Sequence, residues 1–163
     1  VLSILQYYIW SQTFNINDLK EINRIIREAI TSIGGKHPKQ IHAALYLPRI
    51  LGGRGLRSAE DMYKETKIKV VRHLTNTEDP HLKFVLEFEQ IQSKKGMRSI
   101  IKDAVKYAKE LDLDLQISPE FQIKDMNIEE NLQVSAISKP QIKFKLRKAR
   151  TGKYRQQINE STW

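Results

Sequence analysis

No cysteine occurs in the 163 residues, which excludes a disulfide framework and any zinc site built on thiolates. The absence fits an intracellular protein, nuclear or cytoplasmic. Nowhere do two aspartates stand side by side. No apolar run approaches the ~20 residues that span a bilayer, and the opening VLSILQYYIW lacks the basic start and cleavage site of a signal peptide. Neither a membrane partner nor secretion is therefore expected. Acidic residues are nearly missing from the end of the chain. Residues 139–163 hold 8 Lys+Arg against 1 Asp+Glu, whereas residues 1–138 hold 20 against 18. The formal charge of +9 is thus mostly a property of the tail. A basic excess of this kind favours a polyanionic partner.

Glycine and proline are also sparse, at 7 and 5, yet three of the glycines fall in LYLPRILGGRGLRSAED, residues 45–61. The stretch fails G-x-x-x-x-G-K-[ST], because no Lys follows its glycines, and it fails G-x-G-x-x-G. What it offers is a glycine loop feeding a helix, with Arg49, Arg54 and Arg57 around it. Exposed amides and guanidinium groups there can hold a nucleic-acid phosphate. Equally, Pro48, Gly52, Gly53 and Gly55 can be a corner between helices, since glycine permits positive φ and close backbone approach. The two readings are compatible.

Helical periodicity dominates the remainder. Residues 1–12 read as a buried helix or strand. Asn17 is a candidate cap for a helix whose inner face is Leu19, Ile22, Ile26, Ala29, Ile30 and Ile33, ended by Gly34-Gly35. Ser58-x-x-Asp61 approximates a capping box. It opens a helix with Ala59, Met62, Tyr63, Thr66, Val70 and Leu74 on one face. Asp79-Pro80 starts another helix, with Phe84, Val85, Phe88 and Ile91 as its buried side. Ile100, Ile101, Ala104, Tyr107, Ala108 and Leu111 make a third face of this kind. LDLDLQI alternates like a strand.

The fold expected is mainly α: a small helical bundle over residues 1–111, a linker over 112–138, and a weakly structured basic tail over 139–163. The tail carries Lys143, Lys145, Arg147, Lys148 and Arg150, with Phe144 and Tyr154 interleaved where bases could stack. A solvated arm that binds nothing specific is the alternative. The four histidines lack convergent ligand spacing, so no metal is expected. No paired carboxylates stand beside a partner for acid–base work.

YYIWSQTFNINDLKEINRIIREAI followed by GGKHPKQIHAALYLPRILGGRGLRSAED resembles the region just after the polymerase palm in reverse transcriptases of non-LTR retrotransposons. The likeness is densest over residues 1–75 and thin in the tail. Tyr46, Pro48, Arg49, Gly52, Gly53, Arg54, Gly55 and Leu56 match the family signature, and Trp10 and Arg27 stand near its aromatic and its helix arginine. The Cys/His elements near the ends of some relatives are absent. The resemblance implies a thumb-like helical domain, part of a longer chain, that packs behind an upstream palm and grips RNA or an RNA–DNA hybrid duplex. Polymerase chemistry needs palm aspartates holding two Mg²⁺. With no Asp-Asp pair, this segment alone has no cofactor of its own and is expected to be inactive as an RNA-directed DNA polymerase. A helical protein-interaction domain derived from such an element, or a decayed structural remnant of one, is the competing reading.

Overall fold

The computed structural model describes residues 2–35, 37, 39–117, 121–125 and 139–161, and shows a mainly helical protein. The chain divides into two compact units. The first comprises residues 1–63 with 150–163, and the second residues 64–149. The divisions fall inside helices.

In the first unit, α1 (Leu2–Ser11) buries Ile9, while Ile4, Tyr7, Tyr8 and Trp10 stay exposed. The expected burial of this whole segment is therefore not met. Ile9 faces inward with Leu5 partly covered, and the aromatics Tyr7, Tyr8 and Trp10 lie around the outer side. The next helix, α2 (Ile16–Ser32), is capped by Asn15, whose side chain accepts from the Asn17 amide at 3.1 Å. The cap thus lies two residues before the Asn17 expected, because the residue preceding the helix, not one inside it, has the extended backbone a cap requires. Leu19 and Asn23 are its buried residues. Asn23 is affordable in the core because both ends of its amide are used: Nδ2 donates to Ser58 Oγ at 2.9 Å, and Oδ1 accepts from the Ala59 amide at 2.8 Å. A short α3 (Ala43–Tyr46) and a 3₁₀ turn (Arg49–Leu51) follow. Leu45 and Leu47 anchor them in the core.

Ser58 begins α4 (Ala59–Thr75) as expected, its hydroxyl accepting from the Asp61 amide at 3.3 Å. Ala59, Met62, Tyr63, Thr66, Val70 and Leu74 are all buried, and so are Lys67, Ile68 and Val71. The helix is covered on more of its circumference than one amphipathic face would provide.

In the second unit, α5 (Pro80–Lys94) starts where proline suits the first position, with the Asp79 side chain accepting from the His81 amide at 2.8 Å. Then α6 (Ile100–Lys109) is capped by Ser99, and it buries Ile101, Ala104, Tyr107 and Ala108. Glu89 ties the two together: its carbonyl accepts from the Ser99 hydroxyl at 2.9 Å, and its carboxylate from the Ile100 amide at 2.8 Å. The expected inner side of α5 is outside. Phe84, Val85, Phe88 and Ile91 are exposed, while Leu82, Leu86, Glu89 and Gln90 are partly covered. Two apolar rows lie on opposite sides of this helix, and neighbouring elements take the leucine row.

The strand expected at LDLDLQI forms as β1 (Leu113–Ile117). It pairs antiparallel with β2 (Phe121–Asp125), Leu113 opposite Asp125 and Ile117 opposite Phe121. Part of the expected linker is therefore paired strand; residues 118–120 and 126–138 lie outside the described residues. The expected weakly structured tail is α7 (Lys139–Ser161). Lys, Arg, Gln, Leu and Ala all favour helix, and Ile142 and Leu146, four apart, are both buried. The alternation of apolar and basic residues at 142–146 imitates a strand over too short a span to decide between the two periods.

Candidate nucleic-acid interface

The glycine-arginine corner is closed by its own backbone. Pro48 O accepts from the amides of Leu51 at 2.9 Å and Gly53 at 3.1 Å, and Arg49 O from Gly52 at 3.0 Å. Arg54 N donates to Ala44 O at 3.1 Å, Gly55 N to Leu47 O at 2.8 Å and Leu56 N to Leu45 O at 2.9 Å. Six consecutive amides are thus engaged, and the expectation that they are open to a phosphate is corrected. The reason is geometric. Leu51, Gly52 and Gly53 donate within the turn itself; the loop then folds back on α3, and Arg54, Gly55 and Leu56 meet carbonyls of Ala44, Leu47 and Leu45 that the end of this short helix leaves unpaired. A Cβ at Gly53 would lie 2.0 Å from Leu47 O, a distance only glycine can tolerate. Gly52 and Gly55 hold φ of 79° and 70°. These glycines, with Pro48, set the corner.

The N-terminus of α4 is no anion seat either. Asn23 and Ser58 take the amides of Ala59 and Asp61, and Glu60 and Asp61 place negative charge in the first turn.

What the corner presents is side-chain cation. Arg49, Arg54 and Arg57 are all exposed. Among the described residues, none lies within ion-pair distance of a carboxylate. Arg49 Nε donates to Arg54 O at 3.4 Å, and a Cβ at Gly55 would meet Arg49 Cγ at 3.5 Å. The stem of Arg49 therefore lies across the corner it helps to decorate. Among the described residues, no hydrogen bond joins Arg57 to the other two.

Behind the corner, Arg27 Nη1 donates to the Tyr46 hydroxyl at 3.1 Å. The Tyr46 ring stacks on Tyr154, centroids 5.5 Å apart and planes 21° apart, and the Tyr154 hydroxyl donates to Asp61. Burial, the Asp61 charge and that hydrogen bond hold the Tyr154 phenol well above its usual range. Tyr154 is accordingly not a free platform for a base, a correction that spacing alone could not supply.

On α7, Lys143, Arg147 and Lys148 are exposed, with the exposed ring of Phe144 among them. Lys145 and Arg150 are half-buried and engaged with other groups, so these two are less available. A further basic row went unseen in the sequence. Lys102, Lys106 and Lys109 are exposed along α6 and line a surface depression with Val105 and Glu110. Their i, i+4, i+7 spacing was the available signal.

Among the described residues, no group of three or more His, Asp or Glu could hold a metal ion. No helix among them is long and apolar enough to cross a membrane. No family model, curated protein or solved structure matches the chain.

Proposed function

We propose that this chain is a thumb-like segment of a retrotransposon-type RNA-directed DNA polymerase, holding RNA or an RNA–DNA hybrid duplex through its sugar–phosphate backbone. The observation that carries this reading is the exposed trio Arg49, Arg54 and Arg57, without carboxylate partners among the described residues, on a corner whose own amides are consumed. A rigid corner offering only guanidinium groups suits contact with phosphates, and such contact carries no sequence information. The sequence resemblance supplies the rest. An A-form hybrid is gripped by shape and by its sugars and phosphates, and Lys143, Arg147 and Lys148 add cations elsewhere on the surface. The exposed Ile4, Tyr7, Tyr8 and Trp10 of α1 are a suitable seat for an upstream palm. In this reading Mg²⁺ would be held by that palm's aspartates. The location that goes with this role is intracellular, nuclear or cytoplasmic.

Titrating the chain with a labelled RNA–DNA hybrid, double-stranded RNA and B-form DNA tests the reading. Hybrid and RNA duplex are expected to bind more tightly than B-DNA, without sequence preference, and with log affinity falling linearly against log salt. Equal binding to all three, or none at low salt, would overturn it. A protein-interaction role is favoured by one observation, the exposed apolar row of α5.

A further inference from the structure

Phe84, Phe88 and Ile91 are spaced i, i+4, i+7 along α5 and fall within one narrow sector of the helix, with Val85 beside them. Their exposed fractions are 69%, 50% and 50%, and that of Val85 is 39%. Since an aromatic side chain carries ~150–250 Å², the four leave on the order of 300–400 Å² of contiguous apolar surface open. Patches of that size on a monomer are often functional. The i, i+4, i+7 pattern is the row that a second helix laid alongside would fill with its own anchors.

The rim identifies what fits. Lys83 and Lys94 border the row on one side and Lys95 sits in line with it at its end; all three are exposed. None of them is ion-paired among the described residues. Within α5 the acid on that side is the exposed Glu87. A second copy of the chain is a poor occupant. Antiparallel pairing of two α5 rows would bring Lys94 and Lys95 toward Lys83 and His81. It would also bury less than ~800 Å² in total, where stable interfaces need ~1,200–2,000 Å². Nucleic acid fits less well: Phe84 and Phe88 could stack bases, but Ile91 and Val85 would leave about half of the row as apolar surface that neither a base nor a phosphate covers.

We infer that the outer face of α5 is a docking site for an acidic amphipathic helix of a partner protein. Its apolar residues would lie over Phe84, Phe88 and Ile91, and its carboxylates against Lys83, Lys94 and Lys95. The small area makes this a weak, transient contact.

The test uses the full chain and two synthetic helical peptides with leucines at i, i+4 and i+7. One is flanked by glutamates and the other by lysines, and both are followed by fluorescence anisotropy. The glutamate peptide is expected to bind at least ~10-fold more tightly than the lysine peptide, and the F84S/F88S variant to lose roughly tenfold or more with its far-UV circular dichroism unchanged. The K83E/K94E variant should reverse the preference between the peptides, which separates the docking contact from any general loss of fold. Equal binding of the two peptides, no binding of either, or indifference to F84S/F88S would overturn the inference. So would a dimer that F84S/F88S dissociates, which would name a second copy as occupant, or loss of hybrid-duplex binding in that variant.

Discussion

Tyr154 donates its hydroxyl hydrogen to the carboxylate of Asp61, 93 positions earlier in the chain. The same ring stacks on Tyr46, and Tyr46 accepts from Arg27. Four residues from α2, α3, α4 and α7 thus form one polar-aromatic line in the first unit. Tyr46 ends the short helix onto which the corner with the exposed arginines folds back. The C-terminal helix is in this way part of the support for the proposed interface.

Replacing Tyr154 with Phe keeps the ring and deletes the donor. Hydrogen bonds to charged groups contribute ~1.5–3 kcal/mol, so Y154F is expected to lose about 1–2 kcal/mol in denaturant unfolding at pH 7. The pH dependence has a definite sign. The folded phenol titrates above its unfolded value of 10.0, so its contribution is complete below pH 10 and is lost as pH rises beyond it. The wild-type advantage over Y154F should therefore shrink above pH 10. A constant gap across that range would remove the hydrogen bond from the account.

At the corner, G53A is expected to cost about 3 kcal/mol or more, because its methyl group must displace Leu47. G52A meets nothing within 4 Å and pays only for its left-handed backbone, about 1–2 kcal/mol. Thermal unfolding of the pair checks the ordering. Equal losses would mean that close approach to Leu47 does not set the corner.

Lys67 is only 2% exposed in the second unit. Burial pushes its ammonium below the usual value of 10.5, opposed by Asp103 and assisted by Arg98. A lysine depressed in the fold binds fewer protons than in the unfolded chain, so stability rises with pH up to 10.5. K67M removes both the desolvation cost and this slope. It is expected to be neutral or stabilising by about 1 kcal/mol at pH 7, with a flatter stability profile on the alkaline side. A loss of stability would show that the ammonium is held by contacts worth more than its burial costs.

How far the sequence led differs from element to element. Ser58, Asp79-Pro80 and the Ile101–Ala108 face were legible because capping and helical period are local properties. The choice between the two apolar rows of α5 was not local: Phe84 and Phe88 are the more hydrophobic, yet neighbouring elements took Leu82 and Leu86. The tail carried both a strand-like alternation and a helical spacing, and the burial of Ile142 and Leu146 decided between them. The arginines of the corner could be named from the sequence. The fate of its amides could not, because their acceptors at Ala44, Leu45 and Leu47 become visible only when the loop is folded back.

The central claim is that Arg49, Arg54 and Arg57 meet the phosphates of a duplex. It is tested most directly by the salt dependence of hybrid binding in R49A/R54A/R57A, beside K20A/K83A/K94A, which removes the same charge elsewhere. The account predicts that the arginine variant flattens the slope of log affinity against log salt by roughly 2–3, about one per lost phosphate contact, while the lysine variant leaves it nearly unchanged. Identical slopes in the two variants would contradict it.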